Sequence, residues 1–192
     1  MSASSIEVDK SYLELPLMKQ AFIHKSVSSA QNNERLEFLG DAVLEIVVSD
    51  YLFNRFDKLD EGRLTQMRAS LVNTQSLSKI FLQLDCRDLL QTSRGTKKLD
   101  ETHKYSIYAG ALEACIGAIF IELGFEESKS FILYLFQDSF SLLNESIELK
   151  DAKSRLQEAL QALGVQPPNY LVASNKEAVS YTHLRAHETT SD

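Results

Sequence analysis

Glu34, Glu37, Asp41 and Glu45 all fall in the stretch 34–45, ERLEFLGDAVLE. At about 100° per residue of helix, they occupy about 80° of arc and form one carboxylate stripe. Leu36, Leu39, Val43, Ile46 and Val47 cover the remaining directions, so the helix is apolar nearly all round and is expected to be buried. A carboxylate taken out of water costs several kcal/mol unless it is compensated, and neighbouring carboxylates raise one another's pKa. Two remedies exist: a basic partner, for which Arg35 and Arg68 are available, or a bound cation. A third reading of such a stripe is a plain solvated face. A further interior acid, Glu113, lies between Gly110 and Gly117 in a second apolar stretch. Small residues on either side of an acid let another helix approach closely. If the two helices pack there, Glu37, Asp41 and Glu113 converge, and an all-oxygen set of that kind suits Mg²⁺ or Mn²⁺ and argues against zinc.

Several helices must hold those acids in place. Residues 15–24 read as a short amphipathic helix with Pro16 in its first turn, and 34–53 as a long one. After a turn from Asp57 to Gly62, Leu64, Met67, Leu71 and Val72 resume helical spacing, and SLSKIFLQL continues it. The segment 91–105 is polar and basic and reads as a surface loop. SIYAGALEACIGAIFIEL is a strongly apolar helix that stops at Gly124, and one more helix follows. No strand and no repeat is expected before residue 150.

The chain has 192 residues, 44% of them hydrophobic and 24% charged, with a net charge of −7. One core-forming domain and part of a second fit that length. The acidic total argues against a general nucleic-acid binder, unless a local basic surface exists. Cys86 and Cys115 match no metal spacing and read as buried reduced thiols. No apolar run approaches the roughly 18–20 residues that span a bilayer, so no membrane partner is expected. The polar N-terminus has no apolar leader core, which favours the cytoplasm.

Beyond residue 150 the pattern changes. DAKSRLQEALQALG runs from an Asp151 cap to Gly164 with Leu156, Leu160 and Leu163 on one face and Ser154, Gln157 and Gln161 on another. PPNYLVAS reads as a turn into a strand. One helix and one strand cannot close a core, so this is the opening of a second domain. VSYTHLRAHET resembles the translation of a sequencing-library adapter, and residues 179–192 are set aside as a non-native tail. His183 and His187, four apart, therefore carry no weight as a metal pair.

NERLEFLGDAVLE (33–45) resembles the signature of ribonuclease III, the double-stranded-RNA endonuclease family. HKS (24–26), DEGRLTQMRASLVN (60–73) and ALEACIGAIF (111–120) extend the likeness, and DAKSRLQEALQ with PPNYLV is similar to the start of a double-stranded-RNA-binding domain. The resemblance implies an all-α endonuclease domain over 1–149, a truncated α/β RNA-binding domain over 150–178, and a homodimer. It implies Glu37, Asp41 and Glu113 as metal ligands, with Asp41 and Glu113 at the centre of catalysis. Glu34 and Glu61 would assist the substrate and the catalytic assembly. Phe38 would be either a knob inserted into the partner subunit or an ordinary core residue. The implied chemistry is Mg²⁺-dependent hydrolysis (Mn²⁺ a substitute) of double-stranded RNA, in rRNA and mRNA precursors, to 5′-phosphate and 3′-hydroxyl ends. His24 is expected to be structural. Arg94, Lys97, Lys98 and Lys104 are candidates for phosphate contact, and Ser154, Gln157 and Gln161 for the minor groove. One position departs from the pattern: the family's Asp, three residues before Glu113, is Gly110 here. Either a weakened site or a catalytically impaired RNA-binding scaffold would follow.

Overall fold

The computed structural model describes residues 5–96, 100–143 and 160, almost all in the first of two units, 1–145. Ser154, Gln157, Gln161, Lys97, Lys98 and the 179–192 tail lie outside the described residues.

The described residues are helical, as expected. The helices are α1 (Lys10–Leu13), α2 (Pro16–Ala21), α3 (Glu34–Arg55), α4 (Glu61–Leu71), α5 (Thr74–Gln83), α6 (Glu101–Leu123) and α7 (Phe125–Leu135). Residues 137–143 are helical again. Among the described residues, extended pairing is limited to two isolated bridges, Ile6 with Leu84 and Ile23 with Gln91.

The starts and stops have local causes. Asp60, Asn73 and Asp100 each accept a hydrogen bond from the backbone N–H three residues on, those of Arg63, Ser76 and His103, which caps α4, α5 and α6. Gly124 ends α6 with φ of 88°, a conformation that L side chains rarely adopt. The Asp100 cap places 101–105 inside α6 and not in a loop.

α6 is the centre of the molecule, packed against α3, α5, α7 and α2. Ala111, Leu112, Ala114, Ile116, Ala118 and Ile119 are each fully buried. By length and composition alone this helix is long enough to cross a bilayer, contrary to the expectation that no run is. Here its apolar surface is spent on the core of the bundle.

The crossing of α3 and α6 is set by two glycines. A methyl built on Gly40 would collide with the Glu113 carbonyl oxygen, and one on Gly117 with the Leu36 carbonyl oxygen. Backbone therefore lies on backbone, which fixes the depth at which the acids of both helices meet.

The expectation that α3 is buried all round does not hold. Leu36, Val43, Leu44, Val47, Val48 and Leu52 are buried, whereas Phe38, Ile46 and Phe53 are 81%, 57% and 71% exposed. The helix turns one apolar face to the core and a second to solvent. A core role for Phe38 is thereby excluded.

Candidate active site

Lys25 and Asn33 flank the start of α3 and open a cleft of about 640 Å³ that runs to the middle of α6. Glu34, Glu37, Asp41 and Glu113 all line it. Glu37 and Asp41 are one helical turn apart on α3, and the close approach at Gly40 and Gly117 brings Glu113 opposite them.

The acids of the stripe have different fates. Glu45 forms an ion pair of 3.0 Å with Arg68, which also donates to Ser49 Oγ. Glu34 is paired with Lys25 at 2.9 Å. Among the described residues no cation comes within ion-pair distance of Glu37, Asp41 or Glu113. Burial, and then the charges of Asp41 and Glu37, push the Glu113 carboxyl up to about 8. Glu37 is also raised, chiefly by burial, against the pull of Lys25. The carboxylates share the cleft without closing into a ligand shell. Among the described residues no group of three or more His, Cys, Asp or Glu is arranged to hold an ion.

Gly110 lies directly under Glu37. A methyl built on it would come within 2.7 Å of Glu37 Cδ and Oε2 and 3.0 Å of Oε1. The Glu37 carboxylate occupies the volume that a side chain at 110 would need.

Asn33 is buried, and both polar atoms of its side chain lack a hydrogen-bond partner. It precedes α3 without capping it, since Asn32 Oδ1 accepts the Glu34 N–H instead.

His24 lines the cleft, yet its ring is engaged elsewhere. Ser26 approaches Nδ1 with its hydroxyl at 2.8 Å and its N–H at 3.2 Å, which fits a neutral ring protonated at Nε2. Burial holds the His24 pKa below its ordinary value. Ser26 Oγ in turn accepts from the Ser93 N–H and the Thr96 hydroxyl. The HKS motif thus ties the 91–96 segment to the cleft wall.

Glu61 lies elsewhere. It is the first residue of α4, accepts from the Thr65 hydroxyl at 3.0 Å, and lines a separate groove of about 460 Å³ with Leu52, Phe53, Leu59 and Leu64. Of the basic candidates, Arg94 is exposed on a turn. Lys104 is paired with Glu101 and faces a different pocket. Lys25, which the sequence did not single out, is the cation at the acidic cleft; its only signal was its place inside the HKS motif.

A family model described as Ribonuclease-III-like matches residues 14–139. A protein named Ribonuclease 3 from Campylobacter jejuni is 45% identical over 172 residues, which is 90% of this chain and 75% of that one. A Ribonuclease 3 from Nitratiruptor is 40% identical over 166 residues, 86% of this chain and 74% of its own length. Among solved structures, a Campylobacter jejuni nuclease domain of the same enzyme superposes with a TM-score of 0.63 at 43% identity. That match covers 69% of this chain and 95% of the other, whose description concerns structural flexibility in a region involved in dimer formation.

Proposed function

The chain belongs to the ribonuclease III family and is a hydrolase of the endoribonuclease type, and from that premise we propose that it cuts double-stranded RNA with a divalent cation, as a homodimer, leaving 5′-phosphate and 3′-hydroxyl ends. Processing of rRNA and mRNA precursors in the cytoplasm is the setting that this activity implies.

One observation carries the reading: Glu37, Asp41 and Glu113, from two helices, share one cleft, and among the described residues no cationic side chain comes within ion-pair distance of them. An acid pushed up to about 8 by burial and by two neighbouring acids in a cleft is a mark of a functional site. The donor set fits a hard cation, because the three acids supply carboxylate oxygen and no thiol lines the cleft. The two histidines on the cleft wall are held through Nδ1 by Ser26 and Asp100. When bound, Mg²⁺ supplies neutralisation of the phosphoryl charge and a lowered pKa for water. The chain's own residues supply the rest. Glu37, Asp41 and Glu113 hold the site at one depth, and Lys25 keeps Glu34 at the entrance and offers a positive charge to the RNA backbone.

The exposed face of α3 supports the dimer. Phe38, Ile46 and Phe53 form an apolar strip, and the apolar groove beside Phe53 opens on the same helix. A two-fold axis across such a self-complementary face buries each knob in the other copy's groove. Phe38 follows Glu37 directly, so a Phe38 seated in that groove brings the partner's Glu61 beside the acidic cleft. That arrangement accounts for the separation of Glu61 from the other acids within one chain.

Incubation with long duplex RNA and Mg²⁺ tests the proposal. The expected products are discrete short duplexes with 3′ overhangs, and Phe38→Ala should sediment as a monomer and lose most of its cleavage, because each cleft then lacks the partner's Glu61. A mobility shift with no products, at any Mg²⁺ or Mn²⁺ concentration, would overturn the nuclease reading in favour of a scaffold.

A further inference from the structure

Three glycines lie where α3 meets α6, and they serve two purposes. At Gly40 and Gly117 an added Cβ meets backbone atoms of the opposite helix. Neither helix can take a side chain there without separating. At Gly110 the three atoms nearest an added Cβ all belong to the far end of the Glu37 side chain. Gly110 is buried, yet nothing in the packing of the two backbones requires a glycine at that position.

What its bareness provides is room for a carboxylate. Glu113 lies three residues further along α6, so positions 110 and 113 share one helix face. A carboxylate resting on Gly110 therefore lies alongside Glu113, and both line the same cleft wall as Asp41.

We infer that Gly110 is a positioning residue: its missing side chain lets Glu37 fold onto α6, so that the Glu37 carboxylate fills the place where a carboxylate at 110 would otherwise stand. Position 110 and Glu37 thus compete for one volume. The influence of Glu37 on Glu113 agrees with this proximity. The inference rests on the cation reading given above.

The test uses Mn²⁺ titration, followed by calorimetry and electron paramagnetic resonance, on the unaltered chain, Gly110→Ala, Glu37→Gln and the double variant. Alanine is the better helix former, and it displaces only a flexible side-chain end, so Gly110→Ala should keep or raise the melting temperature. It should nonetheless weaken Mn²⁺ binding about tenfold, and combining it with Glu37→Gln should weaken binding no further than Glu37→Gln alone. Gly110→Asp should restore to Glu37→Gln the binding that this change removes. Gly110→Ala binding Mn²⁺ like the unaltered chain would overturn the inference. A metal-independent measurement separates it from the reading it rests on. A nuclear Overhauser contact between Glu37 Hγ and Gly110 Hα is expected in the unaltered chain. If that contact is present while Mn²⁺ is not bound, the placement stands and the cation reading falls. If the contact is missing, the inference itself fails.

Discussion

The two halves of α3 carry the same residue types and put them to opposite uses. In the C-terminal half, each acid has a cation: Glu45 meets Arg68 at 3.0 Å and Asp50 meets Lys129 at 2.7 Å. Lys129 holds the Asp50 carboxyl below its usual range. In the N-terminal half, Glu37 and Asp41 face Glu113 with no ion-pair partner among the described residues, and the pKa shifts there run upward. One half uses its charges to fasten α3 to α4 and α7. The other half accumulates charge that works against the fold. Acids that destabilise a protein are kept where a ligand is expected to neutralise them, so environment, and not residue type, marks the site.

The largest effect should come from breaking the unpaired half. Glu113→Gln keeps the shape and removes the charge, and it should lower cleavage of duplex RNA at least about a hundredfold. The same change should raise stability in divalent-free buffer, because an uncompensated buried acid is gone. Loss of activity together with gain of stability is the signature of a functional group held at structural cost. Activity within a few-fold of the unaltered chain would remove Glu113 from the site.

The pH dependence of stability sharpens the contrast. Without divalent cations, the folded chain keeps a proton on Glu113 up to about 8, against a value of 4.5 for the free group. The unfolded chain has already released that proton, so folded protein binds more protons across this window, and stability must fall as pH rises through it. Above about 8 the Glu113 part of the fall should level off. The window from pH 7 to 8.5 isolates it, because burial holds His24 below its ordinary 6.5, so that its opposing contribution lies at lower pH, and the buried thiols of Cys86 and Cys115, raised from 9, add their own fall only at higher pH. Between pH 7 and 8.5 a loss on the order of 1 kcal/mol is expected, with allowance for the partial exposure of the group. Calorimetric melts should show the slope, and Glu113→Gln should flatten it. An unchanged slope in that variant would assign the proton elsewhere.

The sequence disclosed the frame of this arrangement more fully than its details. The apolar runs in α3 and α6, the cap at Asp60 and the stop at Gly124 are local signals, and each acts through atoms a few residues away. The small residues around Glu113 also foretold a close helix approach. The outward face of α3 was hidden for a physical reason. An apolar residue reads alike whether it is buried within its own chain or left bare for another surface, so Ile46 looked like core and Phe38 read equally as core or as a knob for a partner subunit. The start of α6 was hidden because its first turns, ETHKY, are polar and look like loop. The partners of individual acids were hidden too. Nothing in the spacing showed that Arg68 would take Glu45 or that Lys25 would take Glu34. Nor could spacing show the Glu37 carboxylate lying over Gly110, because that contact depends on side-chain direction across two helices.

The smallest effect should come from the paired half, and its smallness is what makes it useful. Lys129→Met keeps the aliphatic stem and removes the charge that meets Asp50. The two side chains are 34% and 43% exposed, so water and salt already screen the pair. Asp50 also keeps a hydrogen bond of 2.8 Å from Asn54. The melting temperature should therefore fall by no more than about 3 °C, the difference should shrink at high salt, and duplex-RNA cleavage should be unchanged. A large loss of activity would mean that the two halves of α3 are coupled along the helix. The distinction between fastening charge and site charge would then fail, even with Glu113 placed correctly.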